Sequence, residues 1–503
     1  MRFKNSLLVS LSLALAGLLP ATGEAATTTA AAAGGASAAK PNIIFILADD
    51  FSLNLLGSTI IGKSMPNVGT MEKGGVSFAN YFVTDSLCCP SRSSIFTGKL
   101  PHDTGVFTNT GSDGGFATFV KKGNTLETFA VALQSVGYKT AMMGKYLNGY
   151  EPTKDQPPQG WTEWDVAGNG YPEFNYDLNE NGKVVHYGKD DASYLTDVVS
   201  KLGQDFIRKS ASGPFFLEIA TFAPHAPYIP APRNANDFAS LAYSQAAPWA
   251  ARPDATAPEW LKEIKPLTKA NIAKIDKDFR MRIEADEAVD KMIGDIRAEL
   301  TSLGIDKNTY IVFSGDNGYH MGEYSLMPGK MTPFDTDIRV PLVIVGPGVA
   351  SGTSVSAITE NIDLCPTFTE LGGASAASGL KPDGHSLVSL LAGAPPPAGA
   401  WRQEAIVEHH HPPQDPNDPD VQEGPAGNPP SYEALRTADS LYVEYGAPQN
   451  DVGYYDTKAD PLELKNIAPT LPKAKLDQLH KVLQANTACV GATACWAAES
   501  MTP

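Results

Sequence analysis

Residues Asn42 to Asp50 read NIIFILADD. From Ile43 to Ala48 the run is apolar without a break, and it ends in two carboxylates. A strand with one wet face alternates apolar and polar residues, whereas a strand covered on both faces need not. The stretch therefore predicts a strand buried within a parallel sheet, with Asp49 and Asp50 at its carboxyl end. The same grammar recurs in NTYIVFSGDNG (Asn308–Gly318), FFLEIATFAPH (Phe215–His225) and VPLVIVGPG (Val340–Gly348). Ahead of the strand at Tyr310, the residues Met281, Ala285, Ala288, Val289, Met292, Ile293, Ile296 and Leu300 keep helical spacing. Strands alternating with helices predict an α/β fold with a mostly parallel central sheet flanked by helices.

Outward from this core the composition changes twice. LAGAPPPAGAW (Leu391–Trp401) is a linker-like break. Beyond it EAIVEHHH, LRTADSLYVEYG and VGYYDTKADPLELKNI are short strand patterns split by turns, followed by a helical KAKLDQLHKVLQAN. We read residues 41–398 as the main domain and 399–503 as a smaller C-terminal antiparallel α+β subdomain. At the other end, residues 26–40 (ATTTAAAAGGASAAK) are a low-complexity linker with nothing to build a core. Residues 1–25 have the features of a secretory signal peptide: Arg2 and Lys4, then SLLVSLSLALAGLLP, then small residues for cleavage. There is no twin-arginine pair. No later segment is long and apolar enough to span a bilayer, so the expectation is a secreted or periplasmic protein without stable membrane insertion.

The 503 residues carry a formal net charge of -17, which argues against a general nucleic-acid binder, since phosphate backbones demand a basic surface. A local positive pocket can still hold a small anion. Five cysteines are present. Cys489 and Cys495, in ACVGATAC, are expected to form a disulfide clamping the tail. Cys365 reads as a small buried residue. Cys88 and Cys89 are adjacent, and a bridge between sequence neighbours is strained. Their plain reading is two buried thiols.

Ligands of open α/β sheets bind beyond the carboxyl ends of the strands. Asp49 and Asp50 stand at one such end, Asp316 and Asn317 at another, and His225 at a third. Alone, DNG makes a turn and DD can cap a helix. Together, four hard oxygen donors converging on one crevice suit Ca²⁺ or Mg²⁺.

SLCCPSRSSIFTG (Ser86–Gly98) contains Cys88-x-Pro90-x-Arg92 and resembles the signature of the type I sulfatases. Asp49–Asp50, MGKYLNGY with Lys145, APHAP with His225, GDNG at 315–318 and PGKM with Lys330 follow that family's order over nearly the whole mature chain. GKYLNGY, FAPHAPY, NGKVVHYGKDDASYLTD and DNGYHMGEYSL look like its N-acetylglucosamine-6-sulfatase branch and bacterial relatives. The resemblance implies an alkaline-phosphatase-like fold and hydrolysis of an aryl or carbohydrate sulfate ester to alcohol plus sulfate. It implies that Cys88 is oxidised to formylglycine by a separate maturation enzyme. One hydroxyl of the hydrated aldehyde attacks sulfur, and the resulting hemiacetal then expels sulfate. It implies one divalent cation, Ca²⁺ or else Mg²⁺, held by Asp49, Asp50, Asp316 and Asn317 with the oxygen at position 88. Arg92 would ionise the nucleophile. Lys145, His225 and Lys330 would grip the sulfate, with His225 or Lys330 protonating the leaving alcohol. PSRSSIF is expected to open a helix whose N-terminus favours an anion.

Many arylsulfatases carry a His two residues after the first Lys; here that residue is Leu147. Asn148 and His320 are the remaining candidates for substrate contact or for the elimination step. The triplet His409–His411 is not read as a metal site, because consecutive strand residues point to alternate faces and cannot all ligate one ion; it is expected at a solvated loop edge near the cleft, with substrate contact as the lesser reading. Two other readings stand beside the sulfatase. One is a phosphate or phosphonate ester hydrolase of the same superfamily. The other is a non-catalytic sulfated-glycan binder, should Cys88 stay a thiol.

Overall fold

In the computed structural model the described residues are 40–53, 61–241, 243, 251–375, 379–397, 399–413, 415, 418–422 and 424–503. The expected signal peptide, and the linker up to its last residue, lie outside them.

The strands are β1 (Asn42–Ala48), β2 (Val76–Phe82), β3 (Lys139–Lys145), β4 (Glu163–Ala167), β5 (Tyr176–Glu180), β6 (Lys183–Tyr187), β7 (Phe215–Ala220), β8 (Thr309–Gly315), β9 (Leu342–Val345) and β10 (Thr353–Glu360). They form one ten-stranded sheet in the order β10-β2-β9-β8-β1-β7-β3-β4-β5-β6. The centre, β8-β1-β7-β3-β4, is parallel throughout. Strand β9 runs antiparallel to both β8 and β2, so the fourth apolar run departs from the expected grammar. A run this short and apolar says it is buried but carries no mark of direction.

Five helices matter below: α1 (Cys88–Thr97), α2 (Leu195–Ser210), α3 (Lys269–Ser302), α4 (Leu364–Leu371) and α5 (Lys473–Asn486). Helix α3 begins at a capping box between Thr268 and Asn271, which satisfies N–H groups that a helix start leaves orphaned. Every residue of β1 is buried. Ile44 and Ile46 share a core with Ile283, Ile293 and Ile296 of α3. Ile43, Phe45 and Leu47 point the other way, into a core that contains Phe216, Phe129 and Phe368. The period-two alternation of a strand thus divides one apolar run between two helical layers.

A second sheet follows the break near residue 400: β11 (Glu404–His409), β12 (Tyr432–Thr437), β13 (Ser440–Tyr445) and β14 (Val452–Asp456), antiparallel throughout. Its outer side chains Ile406, Leu435 and Tyr442 pack with Leu479, Val482 and Leu483 of α5 and with both half-cystines. Its inner ones, Ala405, Val407, Ala434, Leu441 and Val443, join the main core. Cys489 and Cys495 are bonded at 2.05 Å, while Cys88, Cys89 and Cys365 are buried free cysteines.

The histidine triplet departs from expectation at its first member. His409 lies in β11, buried against Tyr432, with Nδ1 3.3 Å from Asp85. His410 stacks on Phe107 at 3.8 Å, and Nδ1 of His411 reaches the Pro429 carbonyl.

Candidate active site

Four neighbouring parallel strands deliver the candidate residues. In the register, Ala48 of β1 faces Gly315 of β8, Leu47 faces Ala220 of β7, and Gly144 of β3 faces that same Ala220. The chain leaves these ends as Asp49–Asp50, Asp316–Asn317, the loop to His225, and Lys145. Gly144 is required there: a Cβ would sit 2.0 Å from the Ala220 carbonyl oxygen, at a φ of +91°. Asp50 takes φ 58°, a left-handed conformation uncommon for a residue with a side chain. Its backbone N–H donates to Asp316 Oδ1 at 3.0 Å, which holds the turn.

Helix α1 carries Cys88 and, one turn later on the same side, Arg92. All ten of its residues are buried. Arg92 Nε donates to Asp316 Oδ2 (2.8 Å) and Nη1 to the Lys145 carbonyl (2.9 Å), while Nη2 lies 3.9 Å from Asp49 Oδ1. Ser91 donates to the Asp316 carbonyl. The Cys88 sulfur lies 3.3 Å from Asp49 Oδ1 and 2.9 Å from Lys330 Nζ. Lys145 Nζ reaches Asp49 Oδ2 at 2.5 Å, and Lys330 Nζ reaches Asp50 Oδ1 at 2.7 Å. One ligand atom from each of Asp49, Asp50, Cys88 and His225 falls within 4.8 Å of the others.

A further carboxylate stands in the middle. Asp420 accepts from Lys330 Nζ (2.7 Å), His225 Nε2 (2.7 Å) and Asn109 Nδ2 (2.7 Å), and its Oδ2 lies 3.6 Å from the Cys88 sulfur. No motif announced Asp420, which lies in the proline- and aspartate-rich loop before β12. Tyr171 also went unmarked, although its ring lies 4.6 Å from that of His225 and 4.9 Å from Lys145 Nζ.

Charge balances within the cluster: Asp49, Asp50, Asp316 and Asp420 face Arg92, Lys145, Lys330 and His225. Burial alone would raise the Asp49 carboxyl, but Lys145, His225 and Arg92 outweigh it and hold it below the usual range. Burial likewise opposes ionisation of Asp420, yet Lys330 and His225 pull it well below that range. Burial, then Asp420 and Asp49, push the Cys88 thiol well above its ordinary value. Burial works against a charged His225, but Asp50, Asp420 and Asp49 prevail and raise it. The hydrogen bonds agree: His225 Nδ1 faces the Ala226 carbonyl at 2.7 Å and Nε2 faces the Asp420 carboxylate. Two acceptors make both ring nitrogens donors, the pattern of an imidazolium.

The other two candidates sit differently. Asn148 Nδ2 donates to the Tyr171 hydroxyl at 3.3 Å. His320 is fully buried, with Nδ1 2.9 Å from Asp337 and Nε2 2.8 Å from the Ala426 carbonyl. Both of its nitrogens are committed inside the protein. The backbone of His320 bridges Gly329, so it braces the approach to Lys330.

Residues 41–374 match the family model "Sulfatase", and residues 322–488 match "N-sulphoglucosamine sulphohydrolase, C-terminal". The chain belongs to the sulfatase family. This sulfatase is 33% identical over 480 residues to the N-acetylglucosamine-6-sulfatase of Capra hircus, covering 90% of this chain and 84% of that one. To the human N-acetylglucosamine-6-sulfatase it is 32% identical, covering 90% and 86%. Its fold is shared with BT4656, solved in complex with its substrate D-glucosamine-2-N,6-O-disulfate: TM-score 0.74, 24% identity, 88% of this chain and 97% of that one. The large mixed α/β sheet and the separate antiparallel sheet of this sulfatase match such neighbours, and its activity is that of a sulfuric ester hydrolase. No helix among its described residues is long and apolar enough to cross a membrane.

Proposed function

We propose that this sulfatase hydrolyses a carbohydrate 6-sulfate, that of an amino sugar, using formylglycine at position 88 and one divalent cation. The observation that carries the reading is the convergence of Asp49, Asp50, Cys88, Arg92, Lys145, His225, Asp316, Asn317 and Lys330 on one buried cluster. The sugar follows from the N-acetylglucosamine-6-sulfatases to which the chain is similar.

The residues present fit a hard cation. Asn317 Oδ1 is a buried oxygen without a hydrogen-bond partner, and Asp50 Oδ2 has no hydrogen bond either, only His225 Nε2 at 3.6 Å, an arrangement that costs free energy and that a cation between them would relieve. Asp49, Asp50, Asp316 and Asn317 would hold Ca²⁺ or Mg²⁺, which lowers the pKa of an oxygen nucleophile and offsets charge on the transferring group. A buried, protonated thiol is a poor nucleophile for sulfur. Formylglycine, as its hydrate, offers an oxygen nucleophile and a second hydroxyl for release of sulfate.

The chain's own side chains do the rest. Arg92 is held by Asp316 and Lys145, so its guanidinium is fixed beside position 88. Lys145 and Lys330 flank that position and would bind the sulfate oxygens. His225 Nε2 faces the Asp420 carboxylate at 2.7 Å, as a donor, and is the better candidate to protonate the leaving alcohol. Lys330, with a pKa driven well above its usual value by Asp420 and Asp50 against the effect of burial, gives up a proton less readily. The protein would be exported, as the signal-peptide features of its N-terminal sequence direct.

The first test is the mass of the tryptic peptide Gly74–Arg92. Formylglycine or its hydrate at position 88 is expected, together with turnover of sulfate esters in preference to phosphate and phosphonate esters. Cys88→Ala should abolish turnover and leave the fold intact; normal turnover by that variant would overturn the proposal. Asp316→Ala should lose the cation, so an unchanged metal content by elemental analysis would refute the ligand assignment.

A further inference from the structure

Two cavities meet at the cluster. The smaller, of about 240 Å³, is lined by Asp50, His225, Lys330 and Asp420 and is the anion pocket itself. The larger, of about 740 Å³, lies on the Tyr171 side and reaches from Asn148 to Asp177. Pro419 lines both, so the turn Asp418–Asp420 is a shared wall. The larger cavity falls within the size range of small-molecule sites.

The charge on its wall has one sign. Glu151, Asp177, Asp415 and Asp418 line it, and no lysine, arginine or histidine does so among the described residues. Glu151 pairs with the exposed Lys154 at 2.6 Å, a contact that water screens, and Asp177 lies 2.8 Å from His186 Nδ1. Lys145 and His225 stand against the Tyr171 ring on the side of the anion pocket, where Asp49 and Asp420 engage them. Tyr150, Tyr171 and Tyr176 supply aromatic surface. Asn148 is 7% exposed and lines the same cavity, and its Oδ1 has no hydrogen-bond partner. That buried acceptor calls for an N–H or O–H from a ligand.

We propose that this cavity receives the alcohol half of the ester and selects it by charge, admitting a neutral or cationic amino sugar and disfavouring one that bears a second sulfate. The inference rests on the amino-sugar sulfatase reading. A sugar ring presents C–H faces to the tyrosines, and its hydroxyl, amide or ammonium donors meet Asn148 Oδ1 and the carboxylates. A second sulfate brings only acceptors and negative charge, and would face carboxylates at close range with no cation in the wall. The net charge of -17 adds to the repulsion of any polyanion.

The test compares kcat/KM of the formylglycine-bearing, metal-loaded enzyme for N-acetylglucosamine-6-sulfate, glucosamine-6-sulfate and glucosamine-2-N,6-O-disulfate at low and high salt. The disulfate should be poorer by about tenfold or more at low salt, mainly in KM, and the gap should narrow at high salt as screening shortens the reach of the carboxylates. The double variant Glu151→Gln, Asp177→Asn should narrow it several-fold at low salt. Equal use of the three esters, or preference for the disulfate, at both ionic strengths would overturn the inference and leave the sulfatase reading standing. Failure to turn over any sulfate ester would overturn both.

Discussion

Asp420 sets a carboxylate where an anionic substrate must come. It touches Lys330, which would bind the sulfate, and His225, which would protonate the leaving alcohol, and it repels the anion that they attract. Asp420→Asn should therefore strengthen product inhibition, lowering the Ki of inorganic sulfate by about tenfold, the scale of one contacting charge partly screened. Weaker inhibition in the variant would show instead that Asp420 acts mainly by holding Lys330 and His225 in place. The difference in legibility between Asp420 and its neighbours is physical. Asp49, Asp50, Asp316 and Asn317 each follow an apolar run, so the strand that positions them also marks them. Lys145 and Lys330 are visible only beside a family pattern, and His225, marked by its place beyond a strand, gains its role only there. Asp420 sits among prolines and aspartates with no periodicity, and it reaches Lys330 from 90 residues away (420 − 330).

At the scale of elements, α4 locks the central strands from one side. Phe368 meets Phe45, Phe129 and Phe216, each with ring centroids 5.3 Å apart. Phe368→Ala should cost about 3–5 kcal/mol through lost transfer energy and the cavity left behind, measured as a fall in the urea midpoint. A second contact ties helix to sheet. His102 Nδ1 lies 2.9 Å from Glu408 of β11, and Nε2 lies 2.6 Å from the Cys489 carbonyl. Burial would lower its pKa, but the hydrogen bond and charge of Glu408 raise it to about 9. The folded value exceeds the unfolded one, so this stabilisation is complete below roughly pH 6.5 and lost as pH rises through about 9. His102→Gln should thus cost about 2–3 kcal/mol at pH 6 and little at pH 10. Equal destabilisation at both would refute the charged pair. The strands β1, β7 and β8 were readable because burial on both faces leaves an unbroken apolar run. The direction of β9 was not, since four apolar residues look alike from either end.

Across the whole molecule, the two sheets are joined through a buried ionic knot. Arg402, with no exposed side chain, reaches Glu360 at the end of β10 (2.6 Å), Asp363 (2.8 Å) and Glu499 near the C-terminus (3.1 Å). Burial raises all three acids, Glu360 to about 7, against the pull of Arg402, and Arg402→Ala would leave them buried without a cation. A loss of about 3–5 kcal/mol is expected, read as a lower urea midpoint at neutral pH. The second sheet also completes the active cluster. Tyr432 donates to the Met331 carbonyl at 3.1 Å, and Gln422 brackets the Lys330 backbone from both sides at 3.1 Å. A change of composition near residue 399 shows where one sheet pattern ends and another begins. It does not show that the inner faces share a core, because packing depends on which side chains of β11 to β13 alternate inward.

Cys88 is wholly buried in the finished fold, and one of the groups over it comes 332 residues later in the chain (420 − 88). At translation rates of 5–20 residues per second, roughly 15–70 s separate the two. Any catalyst that is to alter the cysteine has to work on that clock, while the chain is still being made or is held open. Residue 88 therefore works as a record of history: what it carries in the native enzyme is what it met before the last hundred residues closed over it.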